Sequence, residues 1–252
     1  MKLTIGIALL ICLFGVGTFL MSPSISGQKQ GGEPTPVSKG APSDEERKFT
    51  EEFEKFYPKR QRTKLSELKP QTKDIGIGLA GILDYVDVPE ARASEQAKNL
   101  GDLACKSDLI VTGRVVDRAA HLSSDETLIY TQYGIEADEI VLNKSSDQIS
   151  SGDVLKLAWP GGRVRLESRT IEAVDFSYDQ LDVGAKYLLF LRYVPTVRGY
   201  LPARNESDYE IVEGDKLRRN SPGRFGAKNE LIDQTSFISQ VKEKLTTGCK
   251  GS

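Results

Sequence analysis

The chain of 252 residues holds a single histidine, His121, so any Ser–His–Asp or Cys–His hydrolase would have to be built around it. His121 stands beside Ser123, Ser124 and Asp125, residue types that supply a nucleophile, a base and an acid. The members of a working triad usually come from separate elements that the fold brings together. Close sequence neighbours of this kind therefore read as a polar loop. Asp175, Asp179 and Asp182, set around Phe176 and Tyr178, could offer oxygens to a calcium ion, but their spacing misses the ligand pattern of a calcium loop. Gly76-Ile77-Gly78-Leu79-Ala80-Gly81 matches the dinucleotide fingerprint in its letters. That chemistry needs a strand before the glycines and a helix after them, and Lys73-Asp74-Ile75 is no strand. The segment reads as an apolar connection. No catalytic residues, no metal ligands and no cofactor are expected. The 34 Lys and Arg nearly balance the 36 Asp and Glu, for a net charge of −2, which argues against a nucleic-acid surface.

The thiols are Cys12, Cys105 and Cys249. Cys12 lies in an uncharged apolar run from Leu3 to Met21 that follows Lys2 and is trailed by Ser24 and Ser26, the pattern of an export signal. Residues 1–26 are read as a signal peptide or, if left uncleaved, a membrane anchor at residues 3–21, the only contact with a membrane that is expected. Either way the rest of the chain lies outside the cytoplasm: secreted, periplasmic or anchored. Disulfides persist there, and Cys105 and Cys249 are the two thiols left. A bridge would close a long loop; two buried free thiols are the alternative.

The elements that must position these residues follow from patterning. Residues 27–43 are rich in Ser, Gly, Pro and Gln and read as a flexible linker. Residues 44–99 read as a helical lead-in. Ser43 and Glu46 mark a helix start, Phe49, Phe53 and Phe56 form a sparse apolar stripe, and a second helix is expected from Pro89 to Ala104. From Asp108 the texture is that of strands. Runs are expected at Leu109–Val116, Thr127–Leu142, Val154–Trp159, Val164–Val174, Tyr187–Leu191, Gly199–Pro202, Tyr209–Val212 and Lys216–Arg218. In the second run Ile135, Ala137, Glu139 and Val141 should share one face, and Glu136, Asp138 and Ile140 the other. A closing helix over Thr235–Leu245 carries Phe237, Ile238, Val241 and Leu245 as a stripe. The expected fold is mainly β: a five- to six-stranded antiparallel Greek-key barrel with a C-terminal helix and an N-terminal helical lead-in.

Ala104-Cys105-Lys106-Ser107-Asp108-Leu109-Ile110-Val111-Thr112-Gly113 resembles the opening of the netrin-like module, shared with the tissue inhibitors of metalloproteinases, where a Cys and an Asp lead into the first strand. Tyr133 to Lys144 looks like that module's second long strand, and Lys186-Tyr187-Leu188-Leu189-Phe190 like its central one. The likeness spans about residues 100–249 and extends to a broad set of uncharacterised exported bacterial proteins with a similar strand pattern. It implies a barrel of the oligonucleotide/oligosaccharide-binding type, with Cys249 as the partner of Cys105. The inhibitors chelate zinc through an N-terminal Cys, whereas Cys105 lies deep in the chain. The expected function is that of an exported, non-enzymatic binding protein whose partner is a protein. A metalloprotease inhibitor acting through a loop and a membrane-tethered envelope scaffold are the alternatives. Two loops are candidates for facing a ligand: His121 to Glu126, with His121 and Asp125, and Trp159 to Arg163, with Trp159 and Arg163. A core anchor is the alternative role for Trp159.

Overall fold

The computed structural model describes residues 35–36, 44–56, 64, 100–166, 169–173, 178–204, 207–219, 231–247 and 249. The expected signal or anchor, most of the linker, the glycine-rich 76–81 segment, Asp175 and Phe176 lie outside them. Among the described residues, no helix is long and apolar enough to cross a membrane.

In chain order the elements are β1 (Thr35–Pro36), α1 (Asp44–Phe56), α2 (Leu100–Cys105), β2 (Leu109–Leu122), β3 (Ile129–Asn143), β4 (Val154–Pro160), β5 (Gly162–Leu166) and β6 (Arg169–Ala173). They continue with β7 (Lys186–Val194), β8 (Gly199–Pro202), β9 (Asp208–Val212), β10 (Lys216–Arg219), β11 (Ile232–Asp233) and α3 (Gln234–Thr247). β2, β3, β4, β8 and β7 pair in that order, and β7 returns to β2, so five strands close a barrel. This is the Greek-key order of the oligonucleotide/oligosaccharide-binding barrel. Four of the seams are antiparallel. The β4–β8 seam is parallel and rests on a single matched pair, Leu157 with Tyr200. β9, β10 and β11 extend the sheet outward from β7.

Alternation along the strands fills the barrel: Leu109, Val111 and Val115 of β2 meet Tyr133, Ile135, Leu157, Trp159, Tyr187 and Leu189 inside it. Three register shifts interrupt the β2–β3 ladder. One of them pairs Ile110 with Leu142 and Val111 with Ile140, leaving Val141 as an extra residue. The next shift, from Thr112 paired with Glu139 to Gly113 paired with Ala137, leaves Asp138 as a second extra residue, and this one flips the alternation between Ala137 and Ile140. Ile140 therefore packs toward the barrel core and Val141 toward the helices, the reverse of the strict pattern expected from sequence. Glu139 is exposed. At this shift Gly113 lies so close to β3 that a Cβ would stand 2.7 Å from the Glu136 carbonyl oxygen.

The expected single strand over Val164–Val174 is instead the hairpin β5–β6, with Gly162 paired to Ala173. Val164, Ile171 and Ala173 cover Ile129 at the end of the β2–β3 ribbon. Of the expected Pro89–Ala104 helix, the described part is α2. Leu103 and Ala104 of α2 and Phe237, Ile238 and Val241 of α3 pack with Ile110, Leu188, Phe190 and Tyr209 on the outside of the sheet. Asp233 caps α3 by accepting the Ser236 amide at 2.9 Å. Cys105, at the end of α2, is bonded to Cys249, with a Cα–Cα distance of 5.5 Å.

Candidate functional site

The β2–β3 turn is built by the polar residues that the sequence places around His121. Ser123 Oγ donates to Asp125 Oδ1 at 2.7 Å and accepts the Leu128 amide at 2.8 Å. Asp125 Oδ1 in turn accepts both the amide and the hydroxyl of Thr127, at 3.0 and 2.6 Å. These bonds hold a turn in which Glu126 adopts φ 60°. The hydroxyl and carboxylate that a triad would need are thus components of turn geometry.

His121 is half-buried at the end of β2, and its ring stacks on Tyr130 of β3 with centroids 5.2 Å apart. Burial lowers the His121 pKa below its ordinary 6.5, and the Glu46 carboxylate of α1 works in the opposite direction. Tyr130 is the common contact of this corner. Phe53 of α1 lies 4.7 Å from it between centroids, and Phe49 lies 6.5 Å away. Thr50, between the two phenylalanines, gives its hydroxyl proton to the Glu46 carbonyl and lies 2.8 Å from the Tyr130 hydroxyl. Tyr130 must therefore be the donor in that bond. Burial pushes the Tyr130 phenol pKa up.

α1 is seated on the outside of the barrel across β3, β4 and β8. Phe49 is 3% exposed and Phe53 fully buried, in an apolar surface made by Tyr130, Ala158, Val194, Val197 and Leu201. Polar contacts fix both rims. Ser124 of the β2–β3 turn donates to Glu54 at 3.2 Å, and Thr196 of the β7–β8 turn lies close enough to Glu52 to help hold its carboxyl pKa low. In barrels of this type the second and third strands and these two turns form the ligand face. β3 and β4 are the second and third barrel strands, so α1 covers that face.

The other candidate loop takes different roles. Trp159 is fully buried inside the barrel, so it is a core anchor and not a residue facing a ligand; its Nε1 donates to the Asp179 carbonyl at 2.9 Å. Its indole meets Tyr178 edge to face. Arg163 pairs with Glu172 across the β5–β6 hairpin at 3.0 Å. Gln180 closes this end. It accepts from Tyr133 at 2.9 Å and donates to the Pro160 carbonyl at 2.8 Å. The Tyr133 hydroxyl also accepts the Leu181 amide, and burial raises the phenol pKa well above its ordinary value. Of the four candidates, His121 neighbours α1 through the Tyr130 ring and the Glu46 carboxylate. Asp125 shapes the adjoining turn, and Trp159 and Arg163 serve the interior and the hairpin.

Tyr130, Thr50 and the α1 groove were not singled out by sequence reasoning. The available signal was Phe49-Thr50 and Phe53 on one helix face, an aromatic pair four residues apart. No group of three or more His, Cys, Asp or Glu among the described residues could hold a metal ion. Comparison of the chain with protein-family models and with curated proteins gives no match.

Proposed function

We propose that the chain is an exported, non-enzymatic binding protein of the netrin-like type that recognises protein through the barrel face between the β2–β3 and β7–β8 turns. The observation that carries this reading is the seating of α1: the face accepts an amphipathic helix through two buried phenylalanines and a buried hydroxyl pair. Apolar anchors rimmed by polar contacts are the anatomy of protein recognition. A nucleic-acid face would instead offer a basic groove with aromatic rings open for stacking. The Cys105–Cys249 bond supports export, because such bonds last in oxidising compartments. The use of Ser123 and Asp125 in the turn supports a role without catalysis.

Site-directed photo-crosslinking tests the reading. A photoreactive residue at Ser124 or Thr196, on the two rims, should yield polypeptide adducts in the extracytoplasmic fraction. The same residue at exposed Val183, on the turn leading into β7, should not. Adducts equal at all three positions, or adducts to nucleic acid or polysaccharide alone, overturn it. An inhibition assay against a panel of zinc proteases tests the inhibitor alternative, which inhibition at micromolar concentration would restore.

A further inference from the structure

We infer that α1 is an exchangeable occupant of the barrel face, and that the partner is a protein presenting an amphipathic helix with two aromatic residues four positions apart. The inference rests on the reading of this face as the recognition surface and goes further by naming what fits it and what blocks it.

The groove carries the description of its ligand. Phe53 fills the site against Tyr130, and Phe49 reaches the seam between β4 and β8. There Gly199 leaves room for it: a Cβ on Gly199 would stand 2.4 Å from the Phe49 ring. A one-turn spacing between aromatic anchors is what the two subsites require. Thr50 between them meets the Tyr130 hydroxyl, so a small hydroxyl residue at that position completes the match.

α1 is also suited to leave. It has 13 residues, and an isolated helix of that length is marginal in water, so its helicity depends on the groove. Its exposed face is dense in charge, with Asp44, Arg47, Lys48, Glu51 and Lys55. Among its described side chains, Phe49 and Phe53 are the buried apolar anchors. The barrel closes on its own strand pairings. The chain between α1 and α2, residues 57–99, could span on the order of 100 Å when extended, so its length does not force α1 to stay seated.

The test uses the full chain and a labelled peptide of the sequence Asp44–Phe56. The F53D variant should release α1 and expose the groove. The peptide should then bind F53D, and bind wild type at least about tenfold more weakly, since a tethered competitor acts at millimolar effective concentration. The double variant F53D/G199A should lose the peptide, because the added methyl occupies the Phe49 subsite. A peptide with Phe49 and Phe53 replaced by alanine should not bind F53D. Trp159, the sole tryptophan, is buried in the barrel, and unchanged emission confirms that the barrel is intact. Equal binding to wild type and F53D, or no binding to an intact F53D, overturns the inference. It leaves the crosslinking result, and so the assignment of the face, standing. If F53D loses its barrel, amide exchange of the wild type decides. Exchange of α1 ahead of β2 and β7 upholds the inference, and exchange of α1 only with them overturns it. A wild-type dimer that dissociates in F53D would give the groove to a second copy and overturn the partner assignment.

Discussion

Phe49 of α1 lies against the backbone of Gly199 on β8, so close that a Cβ there would come within 2.4 Å of Cε2 and 3.1 Å of Cζ of the ring. The contact sits over the parallel β4–β8 seam, which a single matched pair holds. Helix docking and barrel closure therefore meet at one point. Gly199→Ala should push Phe49 from its site, at a cost of about 1–3 kcal/mol for an overfilled contact. The loss should be local. Amide protection of α1 should fall while Trp159 emission is unchanged. A barrel that unfolds at lower denaturant with α1 still protected would show that the glycine serves the seam and not the helix.

The bond between Thr50 and Tyr130 predicts an asymmetry. In Tyr130→Phe the Thr50 hydroxyl keeps its bond to the Glu46 carbonyl, so no buried donor is orphaned. The expected cost is about 1 kcal/mol. In Thr50→Val the Tyr130 hydroxyl stays buried without its acceptor, which costs about 1–3 kcal/mol. Denaturant titration of the two variants should rank Thr50→Val as the less stable. The reverse ranking would mean that the hydroxyl proton of Thr50 points to Tyr130.

Much of the barrel was legible in sequence. β8 was read residue for residue, and β3, β7, β9, β10 and α3 within a few residues at their ends, because turn residues such as Ser151-Gly152-Asp153 and Gly214-Asp215 punctuate β-branched runs, whereas β2 runs past the expected end at Val116 to Leu122 and takes in His121, a residue expected in a loop. The β5–β6 hairpin was not separated, since Val164 to Val174 carries no Gly, Pro or Asn at its turn. The bulges were invisible because an extra residue changes the facing of Ile140 and Val141 without leaving a compositional mark. The site was the least legible part. Phe49 and Phe53 announce a buried stripe, but a stripe does not name its partner. The docking depends on Gly199 and Leu201, about 150 positions away, and long-range pairing of that kind follows from topology alone.

The stack of His121 on Tyr130 has a pH consequence. Burial places the folded-state pKa of His121 below 6.5, the value that applies to the unfolded chain, and the Glu46 carboxylate reduces that depression. Above pH 6.5 the imidazole is neutral in both states and its contribution is fully present. As pH falls from there through the folded-state value, the unfolded chain binds the extra proton and stability declines. Below the folded-state value the loss levels off. Denaturation midpoints between pH 7.5 and 5.5, above the range where ordinary carboxylates titrate, should drop for wild type and drop less for His121→Gln. Parallel curves for the two proteins would show that the proton on His121 is not coupled to folding.

Cys105 and Cys249 are separated by 144 positions, and their bond closes a loop that contains the whole barrel. In the unfolded chain such a closure removes a large share of the accessible conformations, and the loop-entropy account puts the gain at up to about 5 kcal/mol. The bond also pins two packed helix ends, because Leu103 and Ala104 of α2 share a cluster with Phe237, Ile238 and Val241 of α3. That packing has its own apolar surface, so the double variant C105S/C249S should still fold, with a stability loss of about 2–5 kcal/mol in denaturant titration. The cost should be uneven. α3 has no covalent tie beyond β11 once the bond is gone, so its last turn should lose amide protection before the strands of the barrel do. Lys144 should keep the C-terminal carbonyls of α2 in place, since its Nζ donates to the Ser107 carbonyl at 3.2 Å and to that of Cys105 at 3.4 Å. Reduction of the wild-type protein should reproduce the variant. An oxidised and a reduced protein of equal stability would mean that α2 and α3 are held by their packing alone, and that the bond marks the compartment and not the fold.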